Sequence, residues 1–104
     1  MIKVIVKEPG KPCEVKEIEN TLLEHQKIVD GYIETIPFAS DAVLIVNEEG
    51  KLMGLEPNFR FGNDLIVGTA IIIGVDEDEF TGLSDKQIEL IKANSSSIWF
   101  EGAI

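Results

Sequence analysis

Hydrophobic and polar residues alternate from the first positions of the chain, where Ile2, Val4 and Val6 are interleaved with Lys3, Ile5 and Lys7. A period of two puts successive side chains on opposite faces and predicts a strand with one buried face. EPGKP at residues 8 to 12 is turn chemistry, and CEVKEI at 13 to 18 alternates again. Together they predict an opening β-hairpin. Thr21 and Glu24 then match a T-x-x-E capping pattern, in which hydroxyl and carboxylate satisfy unpaired N–H groups at a helix start. Leu22, Leu23, Ile28 and Val29 supply an apolar face and Gly31 a left-handed terminator, so a short helix is predicted over 21–30.

GYIETIPF at 31 to 38 is strand-like through Tyr32, Ile33, Thr35 and Ile36, and Pro37 ends the strand or bends it at an edge. AVLIVN at 42 to 47 is an apolar run of the kind found in a central strand covered on both faces. In NEEG, Asn47 suits the first position of a type I turn and Gly50 a left-handed position closing a bulged hairpin, so KLM is expected to return as a strand. LEPNFRFGND at 55 to 64 has no clean period and is the longest irregular stretch. Long loops in compact domains are often functional.

LIVGTAIIIGV at 65 to 75 predicts one buried strand, with Gly68, Ala70 and Gly74 on one side leaving room for another backbone, a helix or a ligand to approach closely, a helix in the plainest reading. Ser84 and Gln87 match a capping box, and Leu83 and Ile88 the two positions of a hydrophobic staple. A helix is therefore predicted from Asp85 to about Ala93, burying Ile88 and Ile91. IWFEGAI at the end reads as an added strand or an apolar tail. The sum is a single α+β domain: a mainly antiparallel sheet of about five strands with two helices packed on one face.

Length and composition agree with one domain, since 104 residues are too few to furnish two adequate cores. Charge narrows the partners. With 19 acidic residues against 9 basic ones, the formal net charge of −10 opposes direct binding to nucleic acid or to an anionic membrane face. It serves solubility in the plain reading, and attraction to a basic partner in the sharper one. One cysteine, Cys13, leaves no internal disulfide framework and fits a reducing cytoplasm.

Catalytic and metal patterns are largely missing. Residues 76 to 87, DEDEFTGLSDKQ, fail as a calcium loop because Phe80, Thr81 and Gln87 stand where an oxygen ligand, glycine and glutamate are needed. His25 and Cys13, the only residues of their types, cannot form a multi-ligand zinc site; Cys13 reads as a small buried hydrophobe and His25 as solvent-facing. No P-loop, dinucleotide fingerprint or nucleophile elbow is present, so no enzyme, metal or cofactor is expected. The best candidate site is the 54 to 63 loop with Tyr32. Arg60 is the only arginine and sits between Phe59 and Phe61, a pattern that can clamp an anion while a ring stacks. The plain alternative buries both phenylalanines and pairs Arg60 with a carboxylate.

The opening MIKVIVKEPGKP, GYIETIP, NEEGKLMGLEPN, the IVGTAIIIG strand and LSDKQIE, in this order and spacing, resemble the domain of unknown function 3846 family over roughly residues 1 to 92. The resemblance implies a small prokaryotic protein of phages or mobile elements, with no established activity and no catalytic residues to carry over. It also implies that Asn47, Gly50, Gly54, Pro57 and Asn58 form a shared pattern.

The functional expectation is a non-enzymatic binding protein that engages a host protein or captures a small anionic, nucleotide-like ligand through Tyr32, Asn47, Gly54, Pro57, Asn58, Phe59 and Arg60. A second expectation is an acidic decoy for a nucleic-acid-binding enzyme, acting through Asp76, Glu77, Asp78 and Glu79. A third is a structural homo-oligomer assembled through Ile98, Trp99 and Phe100.

Overall fold

The structure is a computed structural model that describes residues 1–94. The expected tail element and the oligomer contact at Ile98, Trp99 and Phe100 lie outside the described residues. Among the described residues, eight strands and two helices follow in the order β1 (Ile2–Lys7), β2 (Glu14–Ile18), α1 (Leu22–Val29), β3 (Ile33–Ala39), β4 (Ala42–Asn47), β5 (Pro57–Phe61), β6 (Asp64–Val67), β7 (Ala70–Asp76), β8 (Glu79–Thr81) and α2 (Asp85–Ala93). The fold is α+β. The main sheet runs β2-β1-β7-β4-β3, with β8 beside the end of β7, and β5 and β6 form a separate ribbon. Every strand pair is antiparallel.

The two helices cover opposite faces of the sheet, not one face as the sequence suggested. Leu44, Ile72 and Ile5 point to the face closed by Phe59 and Ile66 of the ribbon and Ile91 of α2. Ile45, Ile71, Ile73, Val4 and Val6 point to the face closed by Val29 of α1. The reason is already visible in β4 and β7, whose apolar residues fill both alternating sets, so both faces exclude water.

Both predicted helix starts are present. The Thr21 hydroxyl accepts from the Glu24 N–H, and at α2 the Ser84 and Gln87 side chains bond each other's backbone N–H in a complete capping box. At the end of α1 the left-handed residue is Asp30 (φ 65°), one position before the glycine expected to take that role.

Five local readings are revised. Lys51, Leu52 and Met53 do not return as a strand. They belong to a helical turn in which the Leu55 N–H bonds to Gly50 O and the Gly54 N–H to Lys51 O, with Gly54 left-handed at φ 70°. That bond pair is a Schellman ending, which terminates a helical turn and cannot continue a ladder. Gly50, expected to be left-handed, is not among the residues of positive φ.

The irregular stretch at 55 to 64 is mostly the β5–β6 hairpin, turning at Gly62 and Asn63. The single strand expected over 65–75 is cut at Gly68 (φ 73°), which hands the chain from the ribbon to the main sheet. A Cβ at Gly68 would stand 2.8 Å from Leu55 Cδ1, so the turn and the small residue are required together. At Gly74 the close neighbour is the Gly82 carbonyl, 2.9 Å from a Cβ built there; backbone, not a helix, fills that space.

Candidate functional site

The residues proposed for one loop divide into two groups. Asn58 is fully buried and its side chain is spent inside the fold: Nδ2 donates to the carbonyls of Lys7 and Gly68, both at 2.8 Å, and Oδ1 accepts from Lys7 Nζ at 3.0 Å. It fastens the ribbon to β1 and to the Gly68 bend. Lys7 is 2% exposed and also donates to Glu8 O at 2.9 Å. Burial pushes its pKa down, with Cys13 opposing. Phe59 is fully buried in the core beside Ile66. Phe61 is half-buried and stacks on Phe38 with ring centres 5.5 Å apart. Arg60, between them, is exposed, as is Pro57. Strand alternation explains this: Phe59 and Phe61 share the face of β5 turned toward the sheet, and Arg60 points away.

Asn47 organises the second group. Its Nδ2 donates to the carbonyls of Val29 and Asp30 at 3.1 and 3.0 Å, and lies 3.6 Å from Met53 Sδ. Its Oδ1 accepts from the Glu49 N–H at 2.7 Å. One amide thus ties the last carbonyls of α1 to the 48–54 turn, satisfying groups that a helix end leaves unpaired. The backbone adds a bond from the Glu48 N–H to Tyr32 O at 2.8 Å. Lys51 then anchors the turn from outside, 2.7 Å from Asp64 Oδ1.

What this rigid end presents is apolar. Tyr32 is 66% exposed, Leu52 89% and Met53 51%. Glu34, Glu48 and Glu49 are exposed beside them. The adjoining cleft, about 160 Å³, carries Glu34, Glu48, Glu49 and Asp64 against Lys51. Small-molecule sites usually exceed about 300 Å³, and clustered carboxylates repel an anion. Leu52 and Met53 are hidden as surface residues where KLM reads as a strand; the signal for them in the sequence is an apolar pair inside a turn bounded by Gly50 and Gly54.

His25 corrects another expectation. It is buried on α1, 1% exposed, with its ring edge-on to Phe80 at 5.4 Å, and among the described residues neither ring nitrogen has a hydrogen-bond partner. Burial holds its pKa below 6.5, with Glu24 opposing more weakly. Asp76 to Glu79 form the β7–β8 turn, with Glu77 (φ 50°) and Asp78 (φ 67°) both left-handed. All four are exposed. Among the described residues no group of three or more His, Cys, Asp or Glu is placed to hold a metal ion, and no helix is long and apolar enough to cross a membrane.

Comparison with known proteins gives one assignment. Neither a curated protein nor a solved structure matches the chain. The family model described as Domain of unknown function (DUF3846) matches residues 2–95. That span takes in every strand, both helices and the Asn47-held end, and by it the chain belongs to the DUF3846 family.

Proposed function

We propose that this chain is a non-enzymatic accessory protein that docks a basic protein partner through Tyr32, Leu52 and Met53. The observation carrying this reading is that Leu52 and Met53 stand in solvent on the 48–54 turn held by Asn47, that the exposed Tyr32 accepts a backbone hydrogen bond from the Glu48 N–H of that turn, and that Glu34, Glu48 and Glu49 are exposed. An apolar centre with a charged rim is the usual anatomy of a protein interface. Tyrosine and methionine are enriched there, and a preorganised turn lowers the ordering cost of binding.

The formal charge of −10 favours a partner with a lysine- or arginine-rich rim, because complementary fields steer encounter. Between the two expected occupants, a protein fits better than a small anion, since the neighbouring cleft is small and acidic and Asn47 and Asn58 already have their bonds. A phage or mobile element acting in a host cytoplasm is part of the same proposal, supported by the family resemblance.

A photo-crosslinking side chain at position 52, placed in the full chain inside its native cell, tests it. The expected result is a single basic protein captured from position 52 and not from position 60, with capture falling as salt rises. Capture only from position 60, or from neither, would remove the proposal.

A further inference from the structure

The two outer strands of the main sheet treat their free edges differently. β3 carries Pro37, which has no N–H to offer, and its pairing with β4 shifts register between Pro37 and Ala39. Both features blunt an edge against a further strand. β2 has neither. Its residues pair with β1 in unbroken register from Val6↔Glu14 to Ile2↔Ile18, and among the described residues no strand lies on its other side. Such an edge leaves a row of N–H and C=O groups for another strand to take up.

The side chains of β2 select that strand. Val15 lies opposite Ile5, on the face covered by the ribbon and α2, whereas Glu14 and Lys16 lie opposite Val6 and Val4, on the face covered by α1. Two identical edges joined antiparallel by a two-fold axis keep each face on its own side, so only residues of the same face meet and the axis passes beside one residue of β2. With the axis at Glu14, Lys16 or Glu17, like charges would stand directly opposite each other, which is destabilising. With the axis at Ile18, only the last residue of the strand, itself buried, would overlap. With the axis at Val15, Glu14 of each copy stands opposite Lys16 of the other, and Val15 opposite Val15. Every charge within that overlap then meets its opposite.

We propose that β2 pairs in this register with β2 of a second copy, joining two main sheets into one continuous antiparallel sheet. Val15, 39% exposed in the single chain, gains an apolar neighbour across the axis. Lys16 and Glu14 of one copy lie 3.8 Å apart with both side chains about half exposed, so each is free to turn to its counterpart across the joint. A lone lysine guards an edge against strands in general; here it admits a strand that brings a carboxylate opposite it. The joint lies at the border of the sheet opposite β3, into which Tyr32 leads, so both Tyr32 ends stay open and the dimer presents two of them.

Sedimentation of the full chain over a range of concentrations tests the register. The wild type is expected to be a dimer that dissociates on dilution. Glu14→Lys and Lys16→Glu, each at an exposed position and each leaving far-UV dichroism unchanged, should separately raise the dissociation constant by about tenfold or more, since two cross-strand pairs turn from attraction to repulsion. An equimolar mixture of the two variants should recover the dimer to within about threefold of wild type, because the charges then match across the joint. Glu14→Lys also makes each copy less negative, so association limited by the overall charge of −10 would strengthen where the register predicts weakening. A wild type that stays monomeric at millimolar concentration would overturn the proposal. So would a dimer that either single variant leaves intact, or a mixture that fails to restore it.

Discussion

Two asparagines eleven positions apart, Asn47 and Asn58, do similar work for opposite ends. Both are buried, and both bind carbonyls of distant segments through their amides. Asn58 seals the ribbon against β1, so its neighbourhood turns inward and only Arg60 and Pro57 of β5 face water. Asn47 holds a turn whose outer side is apolar and exposed. Buried polar residues therefore do not mark a recognition site by themselves. What separates the two regions is the surface each leaves outside once its hydrogen bonds are made.

The sharpest way to break this comparison is to remove the clips. Asn58→Ala strands two buried carbonyls and deprives Lys7 of an acceptor, and each unsatisfied buried group costs about 1–3 kcal/mol. A loss of about 3–5 kcal/mol is expected in urea unfolding, read as a lower midpoint at unchanged m. Little change would mean that water or rearrangement replaces the clip. Asn47→Ala comes next, at about 2–3 kcal/mol. It should differ in kind, by also speeding amide exchange at Glu49, Met53 and Leu55, because the turn loses its tie to α1.

His25 offers a smaller effect with a defined sign. Its folded-state pKa lies below 6.5, so below that pH the unfolded chain takes up a proton that the folded chain resists. Its contribution is flat above about pH 6.5 and becomes destabilising as pH falls below it, by at most about 1.4 kcal/mol per pH unit for one proton. His25→Phe should flatten that part of the stability profile relative to wild type. An unchanged profile would place the protonation cost elsewhere.

Much of the architecture was legible in local chemistry. The capping box at Ser84 and Gln87 and the Thr21 cap name their helices because they satisfy specific N–H groups, whatever packs above them. The alternating opening pattern is the β1–β2 hairpin. The placement of the helices was legible too, had the two apolar sets of AVLIVN been followed to their consequence for α1 and α2.

Other features depend on partners far along the chain. The Gly68 bend is fixed by Leu55 and Asn58, and the burial of His25 by Phe80. Gly62 and Asn63 turn a hairpin whose first strand, PNFRF, hides its alternation behind the proline and asparagine ahead of its phenylalanines. The exposed apolar pair at Leu52 and Met53 belongs to a Schellman turn that its sequence resembles less than it resembles a returning strand.

The smallest effects on stability belong to the outer surface. Tyr32→Ser, Leu52→Ser and Met53→Ser combined, and Arg60→Ala separately, should each leave stability within about 0.5 kcal/mol of wild type, since exposed positions contribute little.

Binding should separate the two variants. The decisive measurement is the pair of their affinities for the protein captured from position 52, taken at matched melting temperature. The account predicts a loss of roughly 30-fold or more for the triple variant, the scale of a hot spot worth at least about 2 kcal/mol, and none for Arg60→Ala. Equal losses, or a loss confined to Arg60→Ala, would contradict it.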